Sequence, residues 1–243
     1  MALHDLSLLR QLAARMPSSW QLELKRLYFR RQIGAGRFAT AEPEFAILDQ
    51  LLTAGDWVLD IGANVGHYTR RFSDLVGPQG RVIAFEPVPT TFSLLAANMQ
   101  LLTRSNVTLI NAAVSNSTRV VGMSIPRFDS GLTNYYEASI NAHAAETEHS
   151  VSVMTLSIDH LRLEHRIALI KIDAEDHEAA VLEGMRGLIV QWQPTLIVET
   201  QSDAVIAWVN ALGYSGERLP NSPNMLFRPS STPVVTEAVR TRH

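Results

Sequence analysis

Five short apolar runs, each parted from the next by a longer segment, constrain the fold of this chain more than any other feature. The runs are Trp57–Ile61, Arg81–Glu86, Val107–Asn111, Ile167–Ile172 and Thr195–Glu199. Helices are expected between them at Tyr68–Val76, Thr90–Leu102, His177–Arg186 and Asp203–Leu212. Strands that are apolar throughout need cover on both faces, and strands separated by helices run parallel with right-handed crossovers. An α/β fold with a mostly parallel sheet between two helical layers follows. The rhythm breaks between Val114 and Asp159, where Val120–Ile125 and Val151–Leu156 read as an extra strand pair. The polar stretch between them, Phe128 to Ser150, reads as a lid or insertion. After Gly213-Tyr214, the runs Ser215–Leu219 and Asn224–Arg228 predict a hairpin that joins the sheet.

The segment before the first strand has a different character. Residues 1–40 read as a helical extension of two helices broken near Pro17-Ser18-Ser19, with Ser19 as cap of the second. Its apolar positions Trp20, Leu22, Leu24, Leu27, Tyr28 and Ile33 follow a helical period only loosely, and Lys25, Arg26, Arg30 and Arg31 read as a solvated face. A further helix is expected from Pro43 to Leu52. The main domain is expected over 41–229, and 230–243 as a loose tail.

Composition excludes several functions. The chain of 243 residues has no cysteine, so disulfides, thiolate metal sites and a cysteine nucleophile are ruled out. Its formal charge of −3 gives no general surface for nucleic acid. No apolar run approaches the roughly 20 residues of a membrane span, and the run Leu6–Leu12, short and interrupted by Arg10, does not read as a signal peptide. A soluble, cytoplasmic protein is expected.

The first strand delivers Asp60-Ile-Gly-Ala-Asn-Val-Gly66. Gly62 and Gly66 suit a tight turn with close backbone approach, and the next helix would aim free N–H groups at a ligand. A carboxylate at the strand end would repel a pyrophosphate but suits a cation. Glu86 closes the second strand twenty residues after Gly66, the position from which an acid accepts ribose hydroxyls. That spacing fits nicotinamide dinucleotides and S-adenosylmethionine alike. The loop lacks Gly-x-Gly-x-x-Gly, Asp60 suits a sulfonium amino acid, and the terminal hairpin suits a methyltransferase sheet. S-Adenosylmethionine is therefore the expected cofactor, with Asp60, Gly62, Asn64, Gly66, Glu86, Asn111 and Asp173 around it. Asn111 could meet the base edge or only cap its loop.

The densest polar cluster, Lys171-Ile-Asp173-Ala-Glu175-Asp-His177-Glu178, ends the fourth strand. Open α/β sheets bind ligands outside the carboxyl ends of their strands, so an acceptor is expected here. Lys171 and Asp173 share a face. Methyl transfer to an alcohol requires alignment and removal of a proton, for which Asp173, Glu175 and His177 are the candidate catalytic residues. Glu178 reads as helix N-terminal charge only. Asp173, Glu175 and Asp176 could offer oxygens to Mg²⁺, but no spaced ligands accompany them and no metal site is assigned. Glu199 ends the fifth strand as another pocket-facing acid. His67, His143, His149, His160 and His165 read as surface or packing residues.

At these motifs the chain resembles the FkbM-type S-adenosylmethionine-dependent methyltransferases. The resemblance runs from about Glu44 to Phe227. Besides the three motifs above it includes Asn111-Ala-Ala-Val114, Val181-Leu-Glu-Gly184, Pro194 to Glu199 and Leu212-Gly-Tyr214. It implies a class I, Rossmann-like methyltransferase domain with strand order 3-2-1-4-5-7-6, the last strand antiparallel. It also implies O-methylation of a small-molecule or carbohydrate hydroxyl, such as those of polyketides, sugars or glycans. One position departs, since Asp176 stands where the family usually has glycine. If that glycine serves a positive φ, aspartate is a tolerated replacement. If it serves close substrate approach, acceptor choice or even activity is affected. The alternatives are an NAD-binding oxidoreductase, disfavoured by the loop, and a non-catalytic cofactor-binding protein.

Overall fold

A computed structural model of the chain describes residues 16–102, 104–125, 139–140 and 150–230. Two helices come first, α1 (Ser18–Gly34) and α2 (Pro43–Leu51). Alternation then sets in with β1 (Trp57–Ile61), α3 (His67–Val76), β2 (Arg81–Phe85), α4 (Pro89–Met99) and β3 (Val107–Ile110). Four shorter pieces follow: β4 (Ala113–Val114), β5 (Arg119–Ser124), β6 (Ser139–Ile140) and β7 (Ser150–Leu156). The chain returns through β8 (Ile167–Ile172), α5 (Glu178–Glu183), α6 (Arg186–Trp192), β9 (Thr195–Glu199) and α7 (Asp203–Ala211). It closes with β10 (Tyr214–Arg218) and β11 (Asn224–Pro229).

The main sheet has seven strands in the order β10-β11-β9-β8-β1-β2-β3. The five strands read from the apolar runs pair in parallel, while β11 lies antiparallel between β9 and β10. In chain order this is 3-2-1-4-5-7-6 with the seventh strand reversed, as the resemblance implied. Strand alternation sends side chains to two cores. Leu59, Ile61, Ile170 and Ile172 face α5, α6 and α7 through Val181, Leu182, Ile189, Val205 and Val209. Val58, Val82, Leu169 and Ile197 face α2 and α3 through Leu48, Phe72 and Val76. Asp60 and Lys171 are direct partners on adjacent strands, on this second face.

A second sheet, β4-β7-β5-β6, accounts for the interrupted rhythm. β5 and β7 pair antiparallel from Arg119↔Thr155 to Ser124↔Ser150. Val88, Met123 and Val153 pack together, fastening this sheet to the chain that leaves β2. The lid expected from Phe128 to Ser150 lies outside the described residues apart from 139–140 and 150, as do 1–15 and 231–243 at the ends.

Two local expectations need correction. α1 starts at Ser18 with Pro17 as its cap residue and no side-chain capping bond, so Ser19 lies inside the first turn. The Pro17 carbonyl already accepts from the N–H groups of Trp20 and Gln21, which starts the helix earlier. The single helix expected over His177–Arg186 is instead α5 and α6, separated at Gly184-Met185. Glycine is a weak helix former, and here it is pressed onto another segment: a Cβ on Gly184 would lie 2.0 Å from the Ser115 carbonyl oxygen.

Candidate active site

A cavity of about 450 Å³ opens at the carboxyl ends of β1, β2, β8 and β9. Asp60 reaches it from the end of β1. The side chain is 1% exposed, and its Oδ2 accepts from the Thr69 hydroxyl of α3 at 2.6 Å. Its Oδ1 is buried without a hydrogen-bond partner. Buried acceptors are rarely left so, and one that borders a cavity is suited to a ligand's donor. Burial pushes the Asp60 carboxyl up to about 6, although the Lys171 charge and the Thr69 bond work the other way.

The loop after β1 is held from both sides. The N–H groups of Gly62 and Ala63 donate to the Phe85 carbonyl at 3.0 and 2.9 Å. Gly62 has φ +75° because the chain turns there against Asp173, whose carbonyl oxygen would lie 1.9 Å from an added Cβ. Asn64 turns with φ +49° and sends its N–H to Glu86 Oε2 at 3.0 Å, while Glu86 Oε1 accepts from Val88 N–H at 2.9 Å. Each carboxylate oxygen has two acceptor positions, so these bonds aim Glu86 into the cavity with capacity to spare. Burial first, against these two bonds, pushes Glu86 up to about 7.

Two expected cofactor residues are placed elsewhere. Gly66 is absent from the cavity wall. With φ +97° it turns the chain into α3, and an added Cβ would meet Leu95 at 2.7 Å and Met99 at 2.8 Å. Its glycine serves helix packing rather than ligand approach. Asn111 is also off the wall, because its amide donates to the Glu86 and Pro87 carbonyls at 2.7 and 3.0 Å. Of its two expected uses the structure has the loop cap. The small residues after it, Ala112, Ala113 and Val114, do line the cavity.

After β8 the structure gathers Asp173, Glu175 and His177 on the same wall, as expected from their spacing. Lys171 Nζ lies 3.1 Å from Asp173 Oδ2 and 4.6 Å from the centre of the Tyr68 ring. Burial opposes the Lys171 charge, but Asp173 and Asp60 outweigh it and raise its pKa. Lys171 is therefore a fixed cation that orients Asp173 rather than a base. Glu199 lies beside Asp173; burial and then the Asp173 charge push its carboxyl up to about 7. His177 Nε2 is 2.9 Å from Ser115 Oγ, and burial followed by the charge of Arg119 lowers its pKa. Glu178 stands in the first turn of α5, and its Oε1 accepts from Ala174 N–H in the preceding loop. Glu175 and Asp176 have φ +47° and +67°, so Asp176 holds the left-handed turn that a glycine would otherwise supply.

Thr40, Glu42 and Tyr68 are wall residues that the sequence reading did not name, and His67, read as a surface or packing residue, also lines the wall. Tyr68 donates to Glu42 Oε2 at 2.6 Å, and the His67 ring lies 4.3 Å from that of Phe38. Lys171 stands on the face it was expected to share with Asp173, where a lysine within an otherwise apolar strand must find a buried partner. The segment holding Thr40 and Glu42 carries no comparable signal.

The sequence matches the Methyltransferase FkbM domain over residues 60–215. The chain belongs to the FkbM methyltransferase family. The dinucleotide oxidoreductase alternative is thereby set aside, and S-adenosylmethionine is the cofactor of this family's chemistry. Among relatives, Methyltransferase 1 of Beauveria bassiana is 26% identical over 145 residues, covering 53% of this chain and 58% of that protein. The hexuronic acid methyltransferase AglP of Haloferax volcanii is 29% identical over 133 residues, covering 54% of this chain and 50% of that protein. The matches thus span little more than half the length of these relatives. The crystal structure of the methyltransferase FkbM from Methylobacillus flagellatus shares the fold at a TM-score of 0.54 and 17% identity, over 73% of this chain and 44% of that one. Among the described residues no helix is long and apolar enough to cross a membrane.

Proposed function

We propose that this FkbM-family chain moves the methyl group of S-adenosylmethionine to a hydroxyl oxygen of a small molecule or carbohydrate. One observation carries the reading: a single cavity is lined by Asp60 and Glu86 and, beside them, by the neighbouring carboxyls of Asp173 and Glu199. The residues fit the cofactor. The unpartnered Asp60 Oδ1 suits an ammonium donor, Glu86 has acceptor capacity for ribose hydroxyls, and Ala112 to Val114 leave room beside a base. When bound, the cofactor supplies a methyl group on a positively charged sulfur.

The remaining work falls to the protein. Alignment of an acceptor oxygen and removal of its proton each accelerate such a transfer. Lys171 fixes the Asp173 carboxylate at 3.1 Å, which makes Asp173 the leading candidate to accept the proton. Glu199 adjoins it, and Glu175 and His177 flank the approach. A relative named for hexuronic acids supports a carbohydrate as one acceptor class.

Calorimetry with S-adenosylmethionine and with NAD tests the cofactor assignment, and NAD binding without S-adenosylmethionine binding would overturn it. An Asp173→Asn variant should still bind the donor while transfer to hydroxyl acceptors falls by about 10²- to 10⁴-fold, the usual value of a general base. Undiminished transfer would remove Asp173 from the role.

A further inference from the structure

Helix α1 carries two apolar stripes on opposite sides. Phe29 and Ile33 are buried, and Leu22 partly so, in the cluster that holds Leu94, Leu95 and Met99 of α4. With about 100° of turn per residue, Trp20, Leu24, Leu27, Tyr28 and Arg31 fall within an arc of about 100° opposite that buried face. The four apolar members are 67%, 47%, 53% and 57% exposed, and Arg31 is exposed among them. Two interleaved stripes explain why the apolar positions of this segment follow a helical period only loosely. Single exposed leucines are ordinary, but four large apolar side chains together on one helix face mark a docking surface.

The charge beside the stripe indicates what docks there. Glu23 is the one carboxylate of α1, and it already holds Arg26 at 2.6 Å. Lys25 is half-buried. Arg30 and Arg31, with Arg37 just past the helix end, are exposed and form no ion pair with any described residue. A second copy docked on the stripe would bury Arg31 with no free carboxylate of α1 to receive it, which is costly. A nucleic acid would meet the arginines but leave the leucines in water. An anionic lipid surface satisfies both, with phosphates for the arginines and an interfacial layer suited to Trp20 and Tyr28.

We propose that α1 seats this protein on an anionic lipid surface, with Trp20, Leu24, Leu27 and Tyr28 in the interface and Arg30, Arg31 and Arg37 on the lipid phosphates. The helix lies along the surface, because its opposite side stays packed on α4. The attachment is peripheral and independent of the reaction assigned to the cavity.

The test is sedimentation of the full chain with vesicles of phosphatidylcholine, alone or mixed with phosphatidylglycerol. Affinity for the mixed vesicles should exceed that for phosphatidylcholine by about tenfold or more, and should fall as salt is added. Tryptophan emission should shift to the blue on binding, and Trp20→Phe should abolish the shift while Trp57, Trp192 and Trp208 remain. Leu24→Ser combined with Leu27→Ser should weaken binding by about tenfold or more. Arg30→Gln combined with Arg31→Gln should remove most of the preference for phosphatidylglycerol. All these side chains are exposed, so circular dichroism should report an intact fold in each variant. No binding of the wild type to mixed vesicles, equal affinity for the two lipids, or binding unchanged in the leucine variant would overturn the proposal. So would wild-type dimers in light scattering that separate in the leucine variant, which would assign the stripe to a second copy.

Discussion

Gly62→Ala is the most direct probe of how the site is held together. Gly62 has φ +75°, and forcing an L-residue into the left-handed region costs about 1–2 kcal/mol. The new methyl carbon would lie 1.9 Å from the Asp173 carbonyl oxygen and 3.0 Å from its carbon. Neither side yields easily, because Asp173 N–H is bonded to the Ile61 carbonyl at 3.1 Å and Gly62 N–H to the Phe85 carbonyl at 3.0 Å. Overpacking of this kind adds about 1–3 kcal/mol, for a total of about 2–5 kcal/mol. Gly36→Ala is the control, since φ is +66° there and nothing lies within 4 Å of the added carbon. It should lose only the conformational part. At about 2–4 °C per kcal/mol for a chain of this size, Gly62→Ala should melt about 2–12 °C below Gly36→Ala. Thermal unfolding followed by circular dichroism measures the difference. Below its melting point, Gly62→Ala should also transfer methyl groups more slowly, because the displaced backbone carries Asp173. Equal melting temperatures for the two variants would refute the argument that Gly62 is there to admit the Asp173 backbone.

Three further outcomes follow from other parts of the site and fold. Glu86→Ala should raise the donor Kd by about 10- to 100-fold, the worth of a hydrogen bond to a charged group, measured by calorimetry. Asp60→Asn changes the dependence of stability on pH. Burial raises the folded carboxyl from 3.8 to about 6, so the folded chain holds a proton across that window and Asp60 makes stability fall as pH rises through it. The asparagine variant should lose that slope in denaturant titrations. It should gain at most about 3 kcal/mol above the window, less what Lys171 loses with its partner, and it should bind the donor poorly. Glu44 is fully buried and accepts from Ser222 and Asn224, joining α2 to the strand β11. Glu44→Ala should cost about 2–4 kcal/mol in urea unfolding by leaving those donors unpaired, with little change in donor affinity.

The parallel part of the fold was legible because its strands are buried on both faces, which leaves a short apolar run with definite ends. β1, β8 and β9 have the expected limits, and Glu86 stands where its spacing from the first loop predicted. The cluster from Asp173 to His177 was legible for the same reason, being polar directly after an apolar strand. What the sequence did not reveal depends on contacts between distant segments. Gly66 looks like part of a ligand loop, but its neighbours Leu95 and Met99 lie on α4, about thirty residues on in the chain. Gly184 sits within a helical pattern, and only the Ser115 backbone explains its break. Glu42 and Tyr68 meet across 26 positions, with no periodicity to announce it.

The placement of β11 bears on how the chain is made. Among the described residues it is the last strand in sequence, yet it sits inside the sheet, with Leu226 and Phe227 fully buried and both neighbours already synthesised before it. Until residues 224–229 leave the ribosome, β9 has an unpaired edge and β10 has nothing to join. Exposed edges of this kind recruit other chains. The sheet can therefore close only once residues 224–229 are available, and a chain cut before residue 224 would leave β9 with an open, sticky edge.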